Sequence, residues 1–213
     1  GLFRYNLATG AREAVAALEA DNPVTRSNDG RADPYGGFWI GTMGHNAEPG
    51  AGAIYRYYRG ELRQLYADIT ISNAICFSPD GGHAYFTDTT SRKIMRQRLS
   101  DKDGWPKGDP EVWLDMTAAG LAPDGAVIDA EGNFWNAQWG AARVACYGPD
   151  GDFRQAVEIT APQATCPAFG GPDLQTLFCT SAADGMSDDN PDHGKTFAVP
   201  VEARGQQEHQ VIL

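Results

Sequence analysis

A unit of roughly 45 residues recurs along the chain, and this period constrains the fold more than any other feature. Each copy opens on a turn that runs into an aromatic strand. The copies are Asp33-Pro34-Tyr35-Gly36-Gly37-Phe38-Trp39-Ile40-Gly41, Ser78-Pro79-Asp80-Gly81-Gly82-His83-Ala84-Tyr85-Phe86-Thr87, Asp129-Ala130-Glu131-Gly132-Asn133-Phe134-Trp135, and a weaker Gly170-Gly171-Pro172-Asp173-Leu174-Gln175-Thr176-Leu177-Phe178. Asp, Pro and Gly favour tight turns, whereas aromatic and β-branched residues favour strands. The second aromatics, Trp39, Phe86, Trp135 and Phe178, lie about 47, 49 and 43 residues apart, which is the length of a propeller blade.

A second landmark, a short strand followed by a turn, falls between these copies. It appears as Ala53–Gly60, Lys93–Arg98, Arg143–Tyr147 and Thr196–Pro200, and Gly1–Gly10 opens the chain with a fifth copy. Two interleaved landmarks at one period argue against a sandwich with coincidental spacing. A repeated four-stranded sheet cannot bury both faces alone, so the sheets must stack in a ring. The expected class is all-β, a six-bladed β-propeller of which this chain carries about four and a half blades. Residues 1–213 then form a single propeller domain, incomplete at its N-terminus, with roughly 70 to 80 residues upstream by the repeat length. Arg12–Ala20 has a helix-friendly composition but follows a turn, so it reads as strand and loop. Asp184–His193 reads as a long surface loop.

Composition narrows the partners. The 25 glycines and 13 prolines in 213 residues suit many short strands. A net charge of −11 opposes nucleic acid and anionic membrane surfaces. No apolar run approaches the length of a membrane span. The cysteines Cys76, Cys146, Cys166 and Cys179 form no CxxC pair and sit in apolar, strand-like surroundings. They read as reduced, buried small hydrophobes, which fits a cytoplasmic compartment.

In a propeller, the loops entering each innermost strand gather around the central funnel. Three such stretches carry polar residues that a blade does not need: Arg26-Ser27-Asn28-Asp29-Gly30, Ile71-Ser72-Asn73-Ala74 and Leu121-Ala122-Pro123-Asp124-Gly125. Asn28, Asp29 and Asp124 could each be ordinary turn residues beside glycine. Asn73 is harder to explain that way, because it interrupts an apolar entry into a strand. Their shared phase in the repeat favours one site. Asn and Asp offer hard oxygens suited to Ca²⁺, Mg²⁺ or Mn²⁺ and tolerated by Zn²⁺, and Arg26 offers a fork of donors. The four histidines show no metalloprotease spacing, and no GxSxG elbow is present. Of the histidines, only His45 falls near the expected funnel.

These segments resemble the regucalcin/gluconolactonase family of six-bladed propellers. The resemblance rests on Arg26 through Asn28-Asp29-Gly30 to Gly41-Thr42-Met43, on Ile71-Ser72-Asn73 and on Pro123-Asp124-Gly125, with support from Ala168-Phe169-Gly170-Gly171 and Thr180-Ser181-Ala182. It implies one divalent metal, Ca, Zn, Mn or Mg, held by a glutamate, an asparagine and an aspartate. Asn73 and Asp124 match the last two, and the glutamate belongs to an N-terminal blade segment outside this sequence. Arg26 and Asn28 match the family's substrate contacts, whereas His45-Asn46 stand where some members carry acidic residues. The implied reaction is hydrolysis of a sugar lactone to an aldonic acid, with Asp124 catalytic. A non-catalytic metal-binding propeller, or a hydrolase of other esters on the same scaffold, is the alternative, since a propeller fold alone decides no function.

Overall fold

The computed structural model describes residues 1–187 and 189–213, so Asp188, inside the Asp184–His193 loop, lies outside the described residues. The described residues are almost entirely strands and turns. One short 3-10 turn, Thr89–Ser91, is the helical element among them. Three sheets have four strands each: β3 (Thr25–Ala32) to β6 (Glu61–Ile69), β7 (Ser72–Phe77) to β10 (Glu111–Asp115), and β11 (Ala122–Ile128) to β14 (Phe153–Glu158). Each is a simple meander of antiparallel neighbours. Before them stands the two-stranded sheet β1 (Leu2–Tyr5) and β2 (Arg12–Ala16), and after them the three-stranded sheet β15 (Ala164–Gly170), β16 (Thr176–Ser181) and β17 (Thr196–Pro200). The first strands β3, β7, β11 and β15 pack side by side in sequence, which is the propeller arrangement of four successive blades.

The turns that open each repeat are built by their own side chains. Asp33 accepts the Tyr35 and Gly37 amides at 2.8 and 2.9 Å. Asp129 accepts those of Glu131 and Asn133 at 3.0 and 2.9 Å, together with the Trp135 indole N–H at 2.9 Å. Ser78 takes the same place in the second blade, its hydroxyl accepting the His83 amide at 2.9 Å.

Alternate residues of each strand face opposite neighbours, so burial is concentrated in the seams between blades. One cluster joins Trp39 and Ile54 to Ile75, Phe77 and Phe86. A second joins Cys76, Tyr85 and Ile94 to Ala126, Ile128 and Phe134. A third joins Trp135 and Val144 to Leu177 and Cys179. An aromatic pair spans each seam: Trp39 with Phe77 at 5.7 Å, Tyr85 with Phe134 at 5.8 Å, and Trp135 with Phe169 at 5.7 Å.

This pairing corrects one landmark. The second-blade residue that faces forward, as Trp39 and Trp135 do, is Tyr85, whereas Phe86 faces back and stacks on Tyr66 at 4.3 Å. A shift of one position in a strand moves a side chain to the other face. Phe178 occupies the forward face of the fourth sheet and is 36% exposed. After β17 the chain leaves the sheet: the Gly205 amide donates to Leu174 O at 2.8 Å, and the Ala130 amide donates to Arg204 O at 2.8 Å. The polar run Gln206–Gln210 lacks the apolar alternation of a strand, and among the described residues the last repeat shows three strands rather than the four of a complete unit. All four cysteines are free thiols, as their surroundings suggest.

Candidate functional site

The four innermost strands share a local irregularity. The register of each shifts near its start, between Ser27 and Gly30, between Asn73 and Cys76, between Pro123 and Ala126, and between Ala164 and Cys166. An inserted residue bends a strand and re-aims its side chains, a device common beside active sites. Here the residues in or beside the first three irregularities are Asn28 and Asp29, Asn73, and Asp124. Ala74 adopts a positive φ of 58° to make its bend, a conformation costly for a residue with a Cβ. Gly125 is needed for a different reason. A Cβ there would lie 2.8 Å from both Cys166 Sγ and Thr165 O, so only glycine lets β15 approach Asp124's strand this closely.

The candidate residues form one hydrogen-bonded chain across three blades. Arg26 Nη1 donates to Asn28 Oδ1 at 3.0 Å. Asn28 Nδ2 donates to Ser72 O at 2.9 Å and to Asn73 Oδ1 at 3.3 Å. Asn73 Nδ2 donates to Thr89 Oγ1 at 2.9 Å, and Thr89 Oγ1 donates to Pro123 O at 2.7 Å, beside Asp124. Asn73 is buried, Asn28 and Asp124 are half-buried and Arg26 is exposed at the rim. All four expected residues thus fall at one end of the inner strands. His45 follows β4 (Phe38–Gly44) and is exposed, and in its loop the Glu48 carboxylate accepts from the Asn46 backbone and side-chain amides at 3.0 and 2.9 Å.

Three further residues support the rim, and of these only Asp29 falls in a stretch that the sequence singles out. Asp29 is half-buried and its carboxylate accepts the Ile75 amide at 2.7 Å. Arg31 lies deeper, its Nε donating to Ile75 O and its Nη2 to Ala126 O, each at 3.1 Å. Asn136, wholly buried on β12 (Phe134–Trp139), donates its amide to the carbonyls of Asp124 and Gly125, each at 3.1 Å. Asp29 and Arg31 bond residues at least 44 positions away, whereas Asn136 reaches across a hairpin to residues 12 and 11 positions before it.

The electrostatics are those of two acids placed close together in poor solvent. Burial pushes the Asp124 carboxyl up to about 7, Asp29's charge adds to the rise, and the Gly125 N–H opposes it. Burial also raises Asp29, against the pull of the Ile75 N–H and the Arg31 charge. Asn73 Oδ1 and the Asp124 carboxylate are hard oxygens, and a divalent cation would relieve the repulsion between the two acids. The donor chemistry therefore fits a hard cation, to which this chain would offer two oxygens. Among the described residues no cluster of three His, Cys, Asp or Glu side chains is arranged to hold a metal alone, and no helix is long and apolar enough to cross a membrane.

Residues 1–183 match the family described as SMP-30/Gluconolactonase/LRE-like region. The 6-deoxy-6-sulfogluconolactonase of Pseudomonas putida is 36% identical over 196 residues, 87% of this chain and 67% of that protein. The L-arabinolactonase of Azospirillum brasilense is 35% identical over 216 residues, with 94% and 68% covered. Among solved structures, the calcium-binding protein regucalcin from Agrobacterium tumefaciens is similar at a TM-score of 0.97 and 47% identity, over 100% of this chain and 74% of that one. A match over most of the sequence, and a fold similar along all of it, lead to one assignment: the chain belongs to the SMP-30/gluconolactonase/LRE-like family.

Proposed function

We propose that this chain carries the catalytic rim of a metal-dependent lactonase that opens a sugar lactone to its aldonic acid. The observation that carries this reading is the convergence of Asp124, Asn73, Asn28 and Arg26 on one rim, in a chain similar to proteins named as sugar lactonases. Asn73 and Asp124 would hold a divalent cation, of which Ca²⁺ is favoured by the similar calcium-binding protein and Zn²⁺, Mn²⁺ and Mg²⁺ are the other candidates. The bound cation would supply Lewis-acid polarisation of the lactone carbonyl. Asp124 takes a proton from the attacking water as its oxygen bonds to the carbonyl carbon. It then returns the proton to the ring oxygen as the ester C–O bond breaks, leaving a hydroxy acid. A bound cation would keep Asp124 ionised, and so ready to take the proton of the attacking water. Arg26 and Asn28 orient the sugar through its hydroxyls, and Arg26 does so from the exposed rim.

We place the site in a six-bladed ring formed as one domain with residues beyond this sequence. We assign it to the cytoplasm, which the four free thiols favour. A second reading, a calcium-binding propeller without turnover, is favoured by the similarity to regucalcin. A pH-indicator assay on a panel of aldonolactones and simple esters separates the readings. Proton release from lactones that chelator abolishes and a divalent ion restores is the expected result. Calcium binding with no hydrolysis would establish the second reading, and preference for non-sugar esters would overturn the substrate class.

A further inference from the structure

The segment after the last strand crosses the end of the channel opposite the rim. It meets the blades in reverse order. Gly205 bonds Leu174 beyond β15, and the Gln206 side-chain amide donates to Ile128 O of β11 at 2.9 Å and Phe77 O of β7 at 3.5 Å. Glu208 forms an ion pair with Arg31 of β3, and the Ile212 amide donates to Gly36 O at 2.8 Å. A void of about 20 Å³ remains between this strap and the strand ends.

Arg31 joins the strap to the site. Its guanidinium is spread over three partners: Ile75 O, Ala126 O and the Glu208 carboxylate. Ile75 stands two residues after Asn73, and Ala126 two residues after Asp124. The two carbonyls held by Arg31 thus occupy the same position relative to the two oxygen donors of the rim. Asp29, on the same strand, accepts the Ile75 N–H, so Ile75 is held by both its N–H and its C=O. Among the described residues the inner strands of neighbouring blades share no backbone ladder, so side-chain bonds such as these stitch them together. A planar fork can serve three acceptors in fixed directions, and an ammonium cannot.

We propose that Arg31 is a positioning residue that sets the separation of Asn73 from Asp124, and that Glu208 on the C-terminal strap locks it in place from the far end of the channel. The proposal rests on the reading of Asn73 and Asp124 as the rim's working residues. The strap is then part of the site's construction, although none of it touches the rim.

The test compares the full chain with its Arg31→Lys and Glu208→Ala variants, and with Val144→Ala as a destabilised control in a distant seam. The first readout is hydrogen exchange of the Ile75 amide, which depends on neither metal nor substrate. It is expected to quicken at least tenfold in Arg31→Lys and Glu208→Ala and to stay unchanged in the control, with β13 amides (Arg143–Tyr147) unaffected in those two variants. The second readout is calcium titration without lactone, where affinity is expected to fall at least tenfold. The third is lactone turnover, where kcat is expected to fall at least tenfold while KM stays within threefold. Glu208→Gln, which keeps an acceptor for the fork, is expected to recover part of each loss. Ile75 exchange within twofold of wild type overturns the proposal, and so does faster exchange with unchanged calcium affinity. If wild type neither binds calcium nor opens lactones, the functional reading fails while Ile75 exchange still decides the clamp.

Discussion

The side-chain amide of Asn136 donates to the main-chain carbonyl of Asp124 at 3.1 Å, and to the next carbonyl at the same distance. A fully buried residue of the second strand thereby holds the bend that aims the site's carboxylate. Its own Oδ1 has no partner among the described residues, so the amide is retained at a cost. Asn136→Leu keeps the volume and removes the donor. We expect a loss of about 1–2 kcal/mol in urea denaturation. In the lactone assay, kcat should fall by about tenfold or more with little change in KM. An equal loss in KM alone would place Asn136 in binding rather than in aiming Asp124.

The Asp124 carboxyl, raised to about 7 by burial and then by Asp29, predicts a pH dependence with a definite sign. In metal-free protein the folded state holds this proton at pH values where the unfolded chain has lost it. The associated stability is fully present below the ordinary carboxylate range and is lost as pH rises through about 7. Cation binding needs the ionised form, so calcium affinity should instead increase as pH rises through the same value. Calorimetry at pH 6 in buffers of different ionisation enthalpy should detect release of roughly one proton per calcium bound. Binding without proton release would contradict the assignment of Asp124 as a ligand.

Asp33 and Arg56 give a prediction about stability alone. Their side chains are both wholly buried and paired at 2.6 Å. The guanidinium lies 4.5 Å from the ring centres of both Tyr58 and Trp105, while its two terminal nitrogens find no hydrogen-bond partner among the described residues. Asp33→Ala would leave a buried cation without its anion, and about 3–5 kcal/mol of stability should be lost. The pair lies at the turn end of its blade, away from the rim. Activity per folded molecule should therefore be unchanged at a temperature where the variant remains folded.

The blades were legible because their signals are local. Asp33, Asp129 and Ser78 bond amides within five residues, so the turn chemistry reads directly from short stretches. Asn73 was legible because a polar residue stood in an apolar strand entry, and it is buried within the rim network. Tyr85 was displaced by Phe86 in the reading because two adjacent aromatics share one strand, and only the neighbouring blades distinguish the faces. Asp29 looked like a turn residue before glycine. The irregularity between Ser27 and Gly30 instead keeps it in a strand, bonded to an amide 46 positions away. Arg31 and Glu208 are 177 positions apart, and no motif predicts an ion pair across that separation.

The account turns on Asp124. Asp124→Asn keeps the shape of the side chain, removes one of two repelling acids and cannot take a proton. Metal-free protein with this change should melt a few degrees higher above pH 7, a common consequence of relieving a strained functional site. The most direct measurement is kcat/KM for aldonolactone opening by wild type and Asp124→Asn, with saturating calcium and both proteins shown to be folded. The account predicts a loss of about 10³-fold or more, the scale expected when a proton-transfer group in a polarised site is removed. Lactone opening by the variant at close to the wild-type rate would contradict it.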